Sequence, residues 1–433
     1  MTANGELAKG GTLLAVAMLI ANAGNYVLNL SLGRWLTPSE FADANLMVTI
    51  MLLVTAVAIS LQLIASRFTA MSIVSGDEVE IARLRRYLDR RAGLVGLGLG
   101  AGLVFGAPFW SDLFRSESTI PFVILGLGMP FYVTQAVGRG ILQGRLRFTA
   151  LGATFVVEML VRVGLGLALV SLGFGVVGAT IALAVSFVAV WVHVRILMSN
   201  KRGSLGAIDS SEVRRYAGPI ALLLLGQIIV NNGDVLIAKR YLDPDQAGVY
   251  AAIALVGRAV FFLSWSVATT LFPAATQQAE RGQDVDQLLH RGLLVVGLLG
   301  TGAVVGAQLF GGFALELILG PAFAGLGSPL AWYAGATSLF ALANLIVSHY
   351  LSIGRYREAV LLLGGGLLQT ALLLSMRGSM QSLINAQVLA MTFLLLMVMT
   401  SHLLYRQKRS GSNDTHAPPS RTPQATVALE HAA

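Results

Sequence analysis

The sequence predicts an all-α integral membrane protein with about twelve transmembrane helices, arranged as two pseudo-symmetric six-helix lobes around a central cavity. Three observations predict this class. Of the 433 residues, 55% are hydrophobic and 12% are charged, which is too little polar surface for a water-soluble protein of this size. The apolar residues come in runs near the ~20 residues needed to cross the hydrocarbon core of a bilayer. The two halves of the chain also repeat each other.

Twelve apolar runs define the predicted helices. They are rich in Leu, Ala, Val and Gly and show no alternation of polar and apolar residues, which favours helices over the strands of a membrane barrel. The first run is long, contains asparagines and leads directly into further runs, so we assign it as a span and not as a cleavable signal. The runs cover residues 11–33, 43–66, 93–111, 120–138, 150–172, 176–198, 217–238, 247–272, 292–313, 326–348, 358–376 and 383–405.

The two halves match each other at a nearly constant offset. The matched pairs are Asn25 with Asn231, Arg34 with Arg240, Leu36 with Leu242, Pro38 with Pro244, Gly76 with Gly282, Val79 with Val285, and 144–147 with 354–357. The identities are sparse, but they lie in the same order between apolar runs of matching length. Such a repeat predicts two similar lobes with a site between them.

The repeat and the polar loops divide the chain into five predicted parts. These are a cytoplasmic N-terminus (1–10), an N-terminal six-helix lobe (11–198), a cytoplasmic linker (199–216), a C-terminal six-helix lobe (217–405) and a disordered cytoplasmic tail (406–433). The tail is expected to be disordered because it is rich in Ser, Thr, Pro and Gly. Within the first lobe, residues 77–91 mix charges with regularly spaced apolar residues, which predicts an amphipathic helix on the inner membrane face.

The basic residues indicate the orientation of the chain. Most of the 30 Lys and Arg residues lie in loops on one side of the predicted membrane. The opposite side carries Arg34, Arg115, Lys239, Arg240 and Arg377. The positive-inside rule therefore predicts a multi-pass membrane protein with both termini in the cytoplasm. The basic loops face anionic membrane lipids, so the net charge of +8 requires no nucleic acid as a partner.

Several kinds of chemistry lack the residues that they need. The chain has no cysteine and its six histidines are scattered, so neither thiol catalysis nor a metal site is expected. It has no Walker-type phosphate loop and no signature of a metalloprotease or a serine hydrolase. The predicted outer loops are too short to hold a catalytic domain. We therefore expect neither enzyme activity nor a cofactor.

Polar side chains inside apolar spans are the candidates for a site, because burying them in a membrane is unfavourable unless they face water or a partner. One helix face of the first span carries Asn22, Asn25 and Asn29, and one face of the seventh carries Gln227, Asn231 and Asp234. These spans are related by the repeat, so we expect both faces to line the central cavity. The alternative is that they form hydrogen bonds between packed helices.

Four ionisable residues also fall within spans. Glu158 and Arg162 have the spacing of an ion pair within one helix. Alternatively, Arg162 contacts an anionic substrate, because the planar guanidinium suits phosphate oxygens. Asp234 is the candidate for binding a coupling proton or cation, or else it pairs with Arg258 on the next span. Arg258 is a weaker candidate for contact with an anionic substrate.

Two groups of residues carry a family resemblance. The first is the segment Arg34-Trp35-Leu36-Thr37-Pro38-Ser39-Glu40-Phe41; the second comprises Asn231-Asn232-Gly233-Asp234, Leu242-Asp243-Pro244, Ala247-Gly248-Val249-Tyr250 and Phe272-Pro273. Over residues 10–405 the chain resembles bacterial polysaccharide flippases of the multidrug/oligosaccharidyl-lipid/polysaccharide exporter (MOP) superfamily. The family usually has Phe-Gly and a tyrosine after the first loop, whereas here Phe41 is followed by Ala42, Asp43 and Ala44. Twelve spans and a first span without arginine argue against a lipid II flippase.

The resemblance implies that the chain moves an undecaprenyl-pyrophosphate-linked oligosaccharide from the inner to the outer leaflet by alternating access. The implied partners are this lipid-linked substrate, membrane lipids, a polysaccharide polymerase and glycosyltransferases. One alternative is a cation-coupled multidrug or small-solute antiporter of the same superfamily. Another is a membrane-embedded polysaccharide polymerase or glycosyltransferase, which would need paired catalytic groups on a sizeable outer loop.

Overall fold

The computed structural model describes residues 3–198, 210–261, 264, 286–352 and 357–413, and throughout these residues the chain is helical. A short 3-10 helix, Pro321–Phe323, accompanies the α-helices. The α-helices are α1 (Ala3–Trp35), α2 (Pro38–Val74), α3 (Glu78–Phe105), α4 (Ala107–Phe114), α5 (Ile120–Gly144), α6 (Phe148–Ser171), α7 (Gly175–Leu197), α8 (Ser210–Tyr241), α9 (Pro244–Gly257), α10 (Asp286–Leu319), α11 (Gly327–Ser352), α12 (Arg357–Ser375) and α13 (Met380–Asn413).

The described helices confirm the predicted class. Eight of them are long and apolar enough to cross a membrane, and α3 with α4 adds a ninth span that is bent by 66° at Gly106. The helices α8, α9 and α12 occupy the remaining predicted runs. The run 247–272 is described only in part, and Phe272–Pro273 lies outside the described residues.

Local sequence sets the ends of the helices. At the start of α2, the Thr37 hydroxyl accepts a bond from the Glu40 amide, and the Glu40 carboxylate accepts one from the Thr37 amide. Pro38 follows in the first turn, where its missing N–H leaves no bond unmade. Asp77 caps α3 in the same way, with its carboxylate 2.8 Å from the amide of Glu80. The turn from α6 to α7 uses Gly173 at a φ of 87°.

The two halves of the chain pack in the same pattern. In α1–α7, here named the N-lobe, α1 packs on α6, α2 on α5, α3 on α5, α5 on α7 and α6 on α7. In α8–α13, here named the C-lobe, the corresponding pairs are α8 and α12, α9 and α11, α10 and α11, α11 and α13, and α12 and α13. The repeat predicted from sparse identities is thus present as a repeated helix arrangement.

The lobes are joined at one end, where α1 leads into α2 and α8 leads into α9. We name this the closed end. Phe41 and Phe323 meet there edge to face, with ring centroids 6.1 Å apart, and α9 passes so close to Pro38 that Gly248 has no room for a β-carbon. One apolar cluster at this end contains residues of both lobes. Each of the other two clusters of the described residues lies within one lobe, except that Leu236 of α8 packs against the N-lobe cluster. The described parts of the two lobes therefore share their main apolar core at the closed end.

The prediction that residues 77–91 lie on the membrane surface is wrong, although these residues are helical from Glu78 onward. α3 continues without a break from Glu78 to Phe105. Its residues Ile81, Leu84 and Leu88 are buried in the N-lobe core and do not lie on a membrane. The spacing that suggested a lipid-facing stripe instead serves packing against the neighbouring helices.

The predicted boundaries of the parts stay predictions. Residues 199–209 of the linker lie outside the described residues, and α8 begins at Ser210. α13 continues to Asn413, past the predicted start of the tail at residue 406, and residues 414–433 lie outside the described residues.

Candidate functional site

A buried charge cluster lies in the N-lobe on α5 and α6. The Glu158 carboxylate accepts hydrogen bonds from Arg162 on its own helix and from Arg139 on α5, where the two atoms are 2.7 Å apart. Each of these residues is less than a tenth exposed. One carboxylate between two guanidinium groups leaves a net charge of +1 inside the lobe.

The two arginines are held differently. Arg139 is fixed on several sides: it donates to the hydroxyl and carbonyl oxygens of Thr154 at 2.9 and 3.1 Å, and its guanidinium lies 4.2 Å from the ring centroid of Phe155. Besides Glu158, Arg162 makes only long bonds, at 3.4 Å to Ser186 and at 3.3 Å to the side-chain oxygen of Asn25. Arg162 is therefore the member of the cluster that can exchange a partner most easily.

Arg139 was not among the predicted site residues. The predicted apolar run 120–138 ends one residue before Arg139, which places Arg139 in a predicted cytoplasmic loop. The structure corrects this, because α5 continues to Gly144 and Arg139 is buried. The sequence signal for the longer helix is the pair Gly140 and Gly144, which are spaced by one helical turn. In the structure both lie against the backbone of α2, where a side chain would have no space.

The polar face of α1 lies beside this cluster. Asn25 accepts the bond from Arg162, Asn29 donates to the Asn25 carbonyl oxygen at 2.8 Å, and Asn22 is exposed. The hydroxyl of Tyr26 is buried and has no hydrogen-bond partner among the described residues. Since α1 also packs against α10, it contacts both the N-lobe cluster and the C-lobe.

A second polar cluster lies in the C-lobe. Asp234 is fully buried and accepts bonds from Arg258 at 2.8 Å, from Tyr333 at 2.6 Å and from Tyr250 at 3.0 Å. Arg258 also donates to Asn232 at 3.0 Å. The pairing of Asp234 with Arg258, one of the two predicted alternatives, is present, so this cluster is electrically neutral.

The other predicted residues of α8 lie near a small cavity. Asn231 donates to the Gln227 carbonyl oxygen at 3.1 Å, and the Gln227 side chain donates to Asn344 at 3.2 Å. Asn231 and Arg258 border a cavity of about 10 Å³, which is the size of one water molecule. Arg258 therefore lines this cavity, whereas Asp234 does not.

The equivalent junctions of the two lobes differ in charge. In the N-lobe, Arg162 of α6 reaches Ser186 of α7 and Asn25 of α1. In the C-lobe, Gln369 of α12 donates to Gln387 of α13 at 2.7 Å and to the backbone of α8 at 2.9 Å. The same three-helix junction thus carries an arginine in one lobe and a neutral glutamine in the other.

An ion pair joins the lobes at the closed end. Lys239 of α8 lies 2.8 Å from the Asp43 carboxylate of α2, and both residues are almost fully buried. Ser116 donates to the same carboxylate at 2.5 Å. We name Asp43 and Lys239 the closed-end ion pair. From the sequence, Asp43 was noticed only as a departure from the family pattern.

The structure therefore distributes the predicted site residues over two clusters. Asn25, Glu158 and Arg162 meet in the N-lobe, and Asp234 and Arg258 meet in the C-lobe, where Asn231 borders the same small cavity as Arg258. That these residues line a transport cavity stays a prediction. Within the described residues, no group of three His, Asp or Glu side chains could hold a metal ion.

Curated relatives share part of the chain. An uncharacterized protein of Mycobacterium tuberculosis is 26% identical over 277 residues, which are 61% of this chain and 62% of the relative. The chain thus matches less than two thirds of that relative. An uncharacterized protein of Mycobacterium bovis is 23% identical over 79% of both chains.

Solved structures share the fold. A multidrug resistance MATE transporter of the MOP superfamily in an inward-facing conformation gives a TM-score of 0.75 at 17% identity, with 94% of this chain and 100% of that chain covered. The lipid II flippase MurJ in an inward closed conformation gives 0.72 at 14% identity, with 90% and 87% covered. A MOP superfamily transporter from Pyrococcus furiosus gives 0.61 at 16% identity, with 91% and 95% covered.

A family model settles the relationship that these likenesses leave open. The model of polysaccharide biosynthesis proteins matches residues 31–326. This range includes the closed-end ion pair, the charged residues of the N-lobe cluster and, in the C-lobe cluster, Asp234 and Arg258. The chain therefore belongs to the family of polysaccharide biosynthesis proteins, and it has the fold of the MOP superfamily transporters.

Proposed function

We propose that the chain is a flippase that moves an undecaprenyl-pyrophosphate-linked oligosaccharide from the inner to the outer leaflet of the bacterial inner membrane. Its family supports a role in polysaccharide synthesis, and it shares its fold with a protein named as a lipid II flippase. The observation that carries the proposal is the buried net positive charge of Arg139, Glu158 and Arg162 beside the polar face of α1.

In this proposal, the pyrophosphate binds Arg162. A phosphate oxygen replaces the long bonds that Arg162 makes to Asn25 and Ser186, and Arg139 keeps Glu158 in place. The charge-assisted bond is strong because the site excludes most water. Asparagine and glutamine side chains on α1 and α8 offer hydrogen bonds to sugar hydroxyls, while the lipid tail stays in the bilayer.

Translocation then requires alternating access. With the termini in the cytoplasm, the closed end faces the outside, and the substrate enters between the lobes from the inner leaflet. Opening at Asp43 and Lys239 with closure at the opposite end would expose the headgroup to the outer leaflet. Glycosyltransferases that build the glycolipid and a polymerase that consumes it are the proposed partners.

A multidrug antiporter is the second candidate, but the charges of the clusters favour it less. A cationic drug needs an unpaired carboxylate. Glu158 is paired with two arginines, and Asp234 is paired with Arg258 and bound by two tyrosines. For Asp234 to bind a coupling proton or cation, Arg258 must first move away from it.

Transport by purified protein in vesicles tests the proposal. The substrate is a short-chain polyprenyl-pyrophosphate oligosaccharide with a fluorescent sugar, and its arrival in the other leaflet is measured by access of an added quencher. Arg162→Gln, which copies the C-lobe junction, is expected to lower the rate roughly tenfold or more. Arg162→Lys keeps the charge and should retain part of the rate.

The matched control is Arg291→Gln, which removes an exposed arginine of α10. It should transport like the unchanged protein. A folded Arg162→Gln protein with a normal rate would refute the assignment of Arg162 as a substrate contact, and absence of glycolipid transport by the unchanged protein would refute the proposed function.

A further inference from the structure

We propose that a basic pocket at the end of the N-lobe opposite to the closed end binds a phosphate-bearing anion. This site is separate from the transport site and does not depend on the proposed function. The pocket has a volume of about 210 Å³ and lies between the start of α3, the end of α5 and the end of α7. Its lining comprises three arginines, one glutamate and six apolar residues: Arg85, Arg145, Arg147, Glu78, Ile81, Ala82, Ile141, Leu142, Leu197 and Met198.

Two of the three arginines of the pocket are paired with carboxylates, and the third is not. Arg145 binds Glu78 through two bonds, at 2.6 and 3.2 Å. Arg85 donates to the Met198 carbonyl oxygen at 3.0 Å and lies 3.6 Å from the carboxylate of Asp89. Arg147 is exposed and has no ion pair among the described residues. Three arginines thus face two carboxylates, and the remaining positive charge of Arg147 can attract an anion.

The turn between α5 and α6 places two of these arginines on the pocket. Leu146 stands between Arg145 and Arg147 with a φ of 55°, in the left-handed region. A left-handed non-glycine residue is held there only by its surroundings. The turn keeps both arginines in the lining and leaves Leu146 exposed.

The chemistry of the lining selects a phosphate group. Guanidinium groups bind phosphate oxygens through paired N–H donors, and Arg147 can do so without giving up a carboxylate partner. The apolar half of the lining suits carbon attached to the phosphate. Leu146 and Val79 are exposed apolar residues beside the charged ones, as at a membrane–water boundary. A lipid headgroup and a soluble phosphate compound would share this chemistry.

Binding to the purified full-length protein tests the proposal, with short-chain phosphatidylglycerol, short-chain phosphatidylcholine and inorganic phosphate as the three probes. Phosphatidylglycerol is expected to bind, and Arg147→Ala should weaken its binding roughly tenfold. Glu78→Gln should strengthen binding, because it releases Arg145. Arg90→Ala, which removes an exposed arginine of α3 outside the pocket, should leave binding unchanged.

Each result decides the matter. Binding of phosphatidylglycerol alone that depends on Arg147 supports a lipid headgroup, and equal Arg147-dependent binding of inorganic phosphate supports a soluble phosphate. Equal weakening by Arg147→Ala and Arg90→Ala would show general surface charge and overturn the proposal. Binding of phosphatidylcholine as strong as that of phosphatidylglycerol, or no binding of any probe, would also overturn it.

Discussion

Glu158 is the residue on which the N-lobe cluster depends. It alone neutralises part of the charge of Arg139 and Arg162 in a buried setting. Glu158→Gln would leave two guanidinium groups buried with a neutral partner, which is expected to lower the free energy of unfolding by about 3–5 kcal/mol. Thermal unfolding of the purified protein measures this loss.

The control for this change is Glu117→Gln, at an exposed residue of the α4–α5 loop, which should unfold at the temperature of the unchanged protein. If Glu158→Gln unfolded at that temperature too, the cluster would not contribute to the stability of the lobe.

A substitution of Asp234 distinguishes a role of this residue in ion coupling from a purely structural role. We expect Asp234→Asn to leave the protein folded, to lower transport and to remove the dependence of transport on pH or sodium. The reason is that the asparagine amide carries no negative charge, so it cannot bind a proton or a cation as the Asp234 carboxylate can. The vesicle assay at several pH values and sodium concentrations measures this dependence, with the exposed Asp112→Asn as the control.

Transport by Asp234→Asn with an unchanged response to pH and sodium would end the coupling hypothesis. The bonds to Arg258, Tyr250 and Tyr333 would then be the whole role of Asp234.

Sequence patterns reveal an ion pair within one helix directly, whereas a pair between helices can be predicted only when both residues fall inside predicted spans, as Asp234 and Arg258 do. Glu158 and Arg162 could be predicted because a spacing of four residues places both on one helix face. Arg139 could not, because its partner lies on the next helix and hydropathy ended the span before it. Asp43 and Lys239 belong to different lobes, and no local period connects them.

At the scale of helices, the contact between α9 and α2 depends on Gly248. A β-carbon there would collide with the backbone of Pro38, and backbone cannot move aside as a flexible side chain can. Gly248→Ala is therefore expected to push α9 away from α2 and to loosen the closed end. Faster labelling of a cysteine introduced at Ser39 measures this loosening, since the chain has no cysteine of its own.

The matched control is Gly98→Ala on α3, where a β-carbon meets no atom within 4 Å. This change should leave the labelling rate unchanged. Equal labelling rates for Gly248→Ala and the unchanged protein would mean that α9 yields without opening the closed end.

The helices were easier to predict than their ends. Runs of apolar residues place the spans because lipid requires about 20 of them in a row. α3 extends beyond its run because Ile81, Leu84 and Leu88 pack on the N-lobe, and a period of apolar residues looks the same whether it faces lipid or protein. Thr37 and Asp77 cap the observed starts of α2 and α3, which lie several residues before the predicted apolar runs.

For the whole molecule, the closed-end ion pair connects the two lobes. Asp43→Asn leaves Lys239 buried without a counter-charge, so we expect the closed end to open more often. The double change Asp43→Leu with Lys239→Met replaces the pair by apolar groups and is expected to favour the closed state. The distance between spin labels on cysteines introduced at Ser39 and Asp245, at the starts of α2 and α9, measures both effects.

The single and double variants control each other. The label distance is expected to increase for the single change. For the double change it is expected to decrease or to stay the same. A single change that left the distance unaltered would show that Asp43 and Lys239 do not hold the lobes together.

Making this contact from opposite charges has a thermodynamic consequence. When the closed end separates, water solvates Asp43 and Lys239, and that gain of hydration offsets most of the attraction that is lost. An apolar contact of the same area would gain no favourable hydration free energy when water reached it. The ion pair therefore fixes the relative position of the lobes in the closed state without making that state hard to leave, as the proposed alternating access requires.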